Sequence, residues 1–286
     1  MRVLIILLVL ALFLPEILTA QSFYAVRRER SIIGSIGTGA SSYYGELKEE
    51  KRSIDPKLTL NAGLKYYFSN RISVRSELTW FQLTGDDSQA SDNDRNYRNL
   101  NFVANNFELN ATGAIDLFPA GQRFYQRAKI NVYGFAGFGV LYSNPKTKYD
   151  GKKYALQPLQ TEGVKYSRFQ AVIPYGIGAR IMVTPFMNLA IEGGYRLTFT
   201  DYLDDVSTVH KDPLSFTDPI AAALSDRRAE VGQPTAAPGT RRGNPEKNDS
   251  YFLMCIKVEY YIPDGVFWNT SKKLYKSKRK SYYKER

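Results

Sequence analysis

Met187–Thr200 reads MNLAIEGGYRLTFT and alternates along its whole length. One face carries Leu189, Ile191, Gly193, Tyr195, Leu197 and Phe199; the other carries Asn188, Ala190, Glu192, Gly194, Arg196, Thr198 and Thr200. A period of two over this length predicts a half-buried β-strand. About ten such residues, tilted, cross a hydrocarbon layer. In a soluble sandwich the apolar face would turn inward and Glu192 and Arg196 would meet water. In a membrane barrel the apolar face meets lipid and the charged pair lies inside. This strand alone leaves both open.

Seven more stretches alternate. They are 31–44, Lys57–Phe68, Ile72–Leu83, Asn101–Phe118, Lys129–Tyr142, Ser167–Val183 and Asp249–Ile262. Pro174 removes a ladder donor from the sixth strand in chain order, predicting a bulge or local break there. The connections after strands two, four and six are short; those after one, three, five and seven are longer and polar. That asymmetry predicts an all-β, eight-stranded antiparallel transmembrane barrel, with short periplasmic turns, long outer loops and both termini periplasmic. Glu230–Asn244, within the last long loop, is rich in Pro, Gly and Arg and reads as mobile.

Energetics favour the barrel. A charge on the lipid face near the midplane costs about 2–4 kcal/mol. Arg75, Glu77, Glu108, Glu192 and Arg196 all fall on the opposite face, so they are expected to pair inside a side-chain-filled cylinder.

The ends are set apart. Arg2, the apolar run Val3–Leu14, Pro15 and Leu18-Thr19-Ala20 read as a signal peptide over residues 1–20, followed by a short periplasmic segment over 21–30. The barrel is assigned to 31–262. The formal charge of +11 is uneven: residues 263–286 hold eight Lys and Arg against two acids. In this basic periplasmic tail Lys272, Lys273, Lys276, Lys278, Arg279 and Lys280 are candidates for docking an acidic partner; export argues against nucleic acid. Cys255 is the only cysteine, which excludes an intrachain disulfide.

Little chemistry is legible. His210, the only histidine, lies in a long loop, so no His-based catalytic or metal site is expected. Asp201, Asp204 and Asp205 could hold calcium but lack the spacing of a known calcium loop, and a solvated or loop-capping cluster is the simpler reading. No enzyme activity, cofactor or small-molecule substrate is expected.

Four stretches carry a resemblance: PLQTEG at Pro158–Gly163, IPYGIG at Ile173–Gly178, EGGYRLTFTDYLDDVS at Glu192–Ser207, and RGNPEKNDSYF at Arg242–Phe252. Together they resemble the PorG-like family of Bacteroidetes outer-membrane barrels, a component of the type IX secretion system. Gln160 stands where that family usually carries Gly. The resemblance implies a non-catalytic barrel that holds the periplasmic ring of the secretion and gliding machinery, a lipoprotein and its partner, to the outer membrane. The runner-up is a small stand-alone channel or hydrophobic-solute transporter.

Overall fold

A computed structural model describes residues 32–49, 56–121 and 124–262. Alternation becomes ten strands: β1 (Ile32–Tyr44), β2 (Lys57–Tyr67), β3 (Ile72–Asp86), β4 (Asn101–Asp116), β5 (Ile130–Tyr142), β6 (Pro145–Tyr149), β7 (Lys152–Ala155), β8 (Phe169–Thr184), β9 (Met187–Thr198) and β10 (Ser250–Tyr261). Eight form an antiparallel meander, β1-β2-β3-β4-β5-β8-β9-β10. It closes where β1 pairs β10, from Ile33↔Tyr261 to Tyr44↔Ser250. Closure removes both sheet edges, the condition for a sheet to span a bilayer.

The apolar face of each barrel strand points outward. Ile36, Leu58, Leu64, Leu78, Leu109, Ile177 and Ile256 are all exposed there. Among the described barrel-strand residues, the outward face carries one Asp, Glu, Lys, Arg or His, namely Asp86 at the loop end of β3.

Phe68–Arg71, Leu117–Lys129 and Pro185–Phe186 join strands at one rim, where Ile32 and Tyr261 also lie. The long connections share the other rim. Pro174 stays in register opposite Arg196. On its other side the β5–β8 ladder lapses beside Gly137 and Phe138 and resumes at Gly139↔Val172 without a shift. The proline therefore causes a local break; the bulge sits at Met182–Thr184.

The long connections are folded. β6 extends from β4 at Ala104↔Pro145 and turns back as β7. Asp150 and Gly151 make that turn with positive φ, 47° and 75°, the Asp-Gly hairpin signature. Short helices α1 (Asn93–Arg98), α2 (Leu156–Leu159) and α3 (Pro219–Ser225) cover the rim. Contrary to the expectation for Glu230–Asn244, this segment is tied down. His210 N–H donates to Thr240 O at 2.8 Å, Gly239 N–H donates to His210 O at 2.8 Å, and Arg242 is buried. The main apolar cluster lies at this end, with Leu47, Phe81, Leu100, Phe102, Leu203 and Leu224 in contact. A smaller one, Ile33, Tyr67, Ala120 and Tyr261, closes the short-turn end.

Candidate functional site

Between the two apolar clusters the barrel interior is ionic, in three levels. Nearest the short turns, Arg180 pairs with Glu259 (2.7 Å) and Asp116 (3.3 Å), and Lys65 also pairs with Glu259. Tyr67 Oη donates to Asp116 at 2.8 Å and Asn188 Nδ2 to Glu259 at 2.9 Å. At mid-height Lys257 Nζ donates to Glu77 and to Glu192, each at 2.6 Å. Arg75 pairs with Glu192 and lies 3.4 Å from Glu77, while Tyr133 Oη donates to Glu192 at 2.5 Å. Towards the loops Arg196 faces Glu108 at 3.5 Å, and Tyr251 Oη and Asn110 Nδ2 each donate to Glu108 at 2.7 Å.

These levels hold five cations (Lys65, Arg75, Arg180, Arg196, Lys257) and five anions (Glu77, Glu108, Asp116, Glu192, Glu259), all buried. The column is thus neutral, which lets charge sit in low dielectric at tolerable cost. Of the residues singled out from sequence, Arg75, Glu77 and Glu192 share one level and Glu108 and Arg196 another. Lys65, Asp116, Arg180, Lys257 and Glu259 were missed, although each occupies the polar position between greasy neighbours of its strand.

Both ends are sealed. At the short-turn rim Arg127 donates to Asn188 Oδ1 (2.8 Å) and to the carbonyls of Pro185 (2.9 Å) and Thr184 (2.9 Å), with its guanidinium over the Tyr261 ring. Internal cavities beside Arg127 and beneath the loops measure about 10 Å³ each, room for about one water. A larger trough of about 760 Å³, lined by Ile72, Gly113, Gly134, Ile177 and Gly193, lies on the outer wall.

At the long-loop rim three of the four quoted stretches converge. Glu162 accepts from Ser207 N–H (2.9 Å), Thr208 N–H (2.9 Å) and Arg242 Nη1 (2.8 Å). Burial pushes its carboxyl up, but Arg242 and these donors outweigh that and hold it below the usual range. Asp205, at φ 69°, accepts from Thr161 (2.5 Å) and Tyr166 (2.6 Å), and burial pushes it up to about 6. Gln160 adopts φ 49°, the left-handed conformation that Gly takes without strain.

Asp201, Asp204 and Asp205 do not form one solvated cluster. All three are buried, and Asp204 does cap loop backbone, accepting from Leu47 N–H at 3.2 Å and Val206 N–H at 2.9 Å. Asp204 gathers instead with Glu46 and Asp249, one carboxylate oxygen of each lying within 4.8 Å of the others. Burial, then mutual repulsion, pushes the carboxyls of Asp204 and Asp249 up, and burial raises Glu46 as well. His210 is buried apart from them; burial, then Arg242, lowers it to about 4. Residues 1–30, and Lys272, Lys273, Lys276, Lys278, Arg279 and Lys280 of the tail, lie outside the described residues.

Residues 6–216 match the family model described as the outer membrane protein beta-barrel domain. The chain belongs to this family. The outward apolar belt is accordingly the lipid face of an integral outer-membrane barrel, and the ionic column lies within it. Among solved structures the chain is similar to Neisserial surface protein A, at 8% identity and TM-score 0.43, covering 81% of this chain and 97% of that one. It is also similar to the attachment invasion locus protein Ail of Yersinia pestis (12%, TM-score 0.39, 80% and 96%) and to a major outer membrane protein of Thermus thermophilus (12%, TM-score 0.39, 80% and 98%). No curated protein matches the chain.

Proposed function

We propose that this family member is a non-enzymatic structural barrel that anchors the periplasmic ring of a type IX secretion and gliding machine, with the short-turn rim and both termini facing the periplasm. The observation that supports the reading is the filled interior. A cylinder plugged by five ion pairs' worth of charge, with an apolar cluster at each end, is built as a rigid post and not as a conduit. The PorG-like stretches, three of which meet in the Glu162 knot, are what favour a secretion ring as the load. The short-turn rim and the basic tail are the surfaces offered to a ring lipoprotein and its partner. No nucleic acid and no small-molecule substrate enter this reading.

The test is affinity capture from outer membranes with partners identified. Wild type should retain the ring components; deletion of Ser271–Arg286 together with Pro119–Ala128 should release them while the barrel stays folded. Steady single-channel conductance by wild type in a planar bilayer, or unchanged capture by the deletion variant, would overturn the proposal.

A further inference from the structure

We propose that the outward face of the β6–β7 hairpin docks the phosphate headgroups of the lipid leaflet around the long-loop rim, through Lys146, Lys148 and Lys153. No secretion ring is needed for this contact. It depends on the reading above only for orientation, which makes that leaflet the outer one and its lipid a phosphorylated glycolipid.

Alternation carries the lysines to the lipid side. β6 continues the wall where Lys146 pairs with Val103 of β4. Val103 is exposed, on the face that bears Phe107 and Leu109 lower down. Residues directly opposite in an antiparallel ladder share a face. Lys146 therefore points outward, and Lys148, two residues on, follows it. Lys153 lies opposite Lys148 and joins the same face. All three are exposed. The reverse face holds Thr147, Tyr149 and Tyr154; Thr147 is buried and both tyrosines pack against the main apolar cluster. The hairpin is thus fixed to the barrel by its aromatic side and turns its cationic side out.

An aromatic row marks the edge of the belt. Trp80, Phe107, Tyr142 and Phe169 stand opposite one another across β3, β4, β5 and β8, on the outward face. Such a girdle sits at the membrane interface. Val103 lies four residues beyond Phe107 on β4, about 14 Å along the strand and about 10 Å higher at a tilt of about 40°. The headgroup layer is about 5–8 Å deep, and a lysine stem bends down along an apolar wall to reach it.

The charges are unbalanced within the fold. Lys148 and Lys153 are like charges directly opposite, an arrangement that destabilises a strand pair. Among the described residues no acid pairs with Lys146, Lys148 or Lys153. Asp86, on the outward face of β3, is engaged by Ser88 N–H at 2.8 Å, and Asp150 is the only acid in the hairpin itself. Two ammonium groups whose Cβ atoms stand about 5 Å apart can close on one phosphate, which turns their repulsion into a shared attraction.

The full chain, folded in zwitterionic detergent micelles, is titrated with bis-phosphorylated lipid A, and bound lipid is counted by native mass spectrometry. Wild type should bind it, more weakly as salt rises, and should bind the dephosphorylated lipid at least about tenfold more weakly. Each lysine at an anionic surface contributes about fivefold, so the triple variant Lys146→Gln, Lys148→Gln, Lys153→Gln should lose at least about tenfold in affinity. A second triple variant, Lys165→Gln, Lys211→Gln, Lys247→Gln, removes the same charge from exposed positions of the β7–β8 and β9–β10 connections and should stay within about twofold of wild type. Heat-dependent gel mobility checks that each variant is folded. Equal affinity for the two lipids, wild-type affinity in the folded hairpin variant, an equal loss in the charge-matched variant, or displacement of the lipid by an equal concentration of inorganic phosphate would overturn the proposal. Ring capture plays no part in the assay, so such a result would leave the anchoring role standing.

Discussion

Lys257→Met isolates the physics of the filled interior. The lysine is fully buried and holds Glu77 and Glu192 at 2.6 Å each. Methionine keeps much of the volume and removes the charge. Glu77 is then left with Arg75 at 3.4 Å and the Thr79 hydroxyl at 3.3 Å, while Glu192 keeps Arg75 and Tyr133. Stranding one partner of a buried pair costs about 3–5 kcal/mol. The residual partners place this case near the lower figure, about 3 kcal/mol. Glu77→Gln in the same background restores a neutral level and should return about 1–3 kcal/mol of that loss. Urea unfolding in micelles, followed by heat-dependent gel mobility and tyrosine fluorescence, reads both numbers. A loss under about 1 kcal/mol for Lys257→Met, with the double variant strictly additive, would mean that water and not protein solvates the column.

Four further outcomes follow from other positions. Leu78→Arg, in the middle of the outward belt, should cost about 2–4 kcal/mol in lipid vesicles. Gly137→Ala should impair barrel folding, because the new Cβ would stand 2.1 Å from Ala111 O, whereas Gly134→Ala, whose nearest neighbour is 4.0 Å away, should fold normally on the same gel. Gln160→Gly should stabilise the loop knot by about 1 kcal/mol by relieving the left-handed strain, seen as slower proteolysis of the cap. His210 has a folded value depressed to about 4, so its contribution is complete above the unfolded value of about 6.5 and is lost as pH falls through 4. Arg242, Arg228, Arg98 and Asp226 face it. The raised acids of the same cap have the opposite sign, so the readout is the difference between wild type and His210→Leu in cap proteolysis between pH 7 and 4.

The wall of the barrel was legible because lipid enforces a strict alternation. Leu58-Thr59-Leu60-Asn61-Ala62 and its counterparts place their strands to within a few residues at each end. The interior was legible in kind, since Arg75, Glu77, Glu108, Glu192 and Arg196 sit on the polar face. Their pairing was not, because which charges share a level depends on strand tilt and register: Lys257 meets Glu77 from 180 residues away. The β6–β7 hairpin announced itself in Asp150-Gly151 and could have been found. The cap could not. Glu162 organises backbone amides more than forty residues distant, and a Pro- and Gly-rich stretch looks the same in sequence whether or not such an anchor waits for it.

The seam between the first and last barrel strands carries a consequence of its own. β10 sends Lys257 to β3 and β9, and Glu259 to β2 and β8. Unzipping it from β1 would have to tear those contacts across the lumen as well as the ladder. This cylinder therefore has no sideways door: parting its seam would break ion pairs as well as backbone hydrogen bonds.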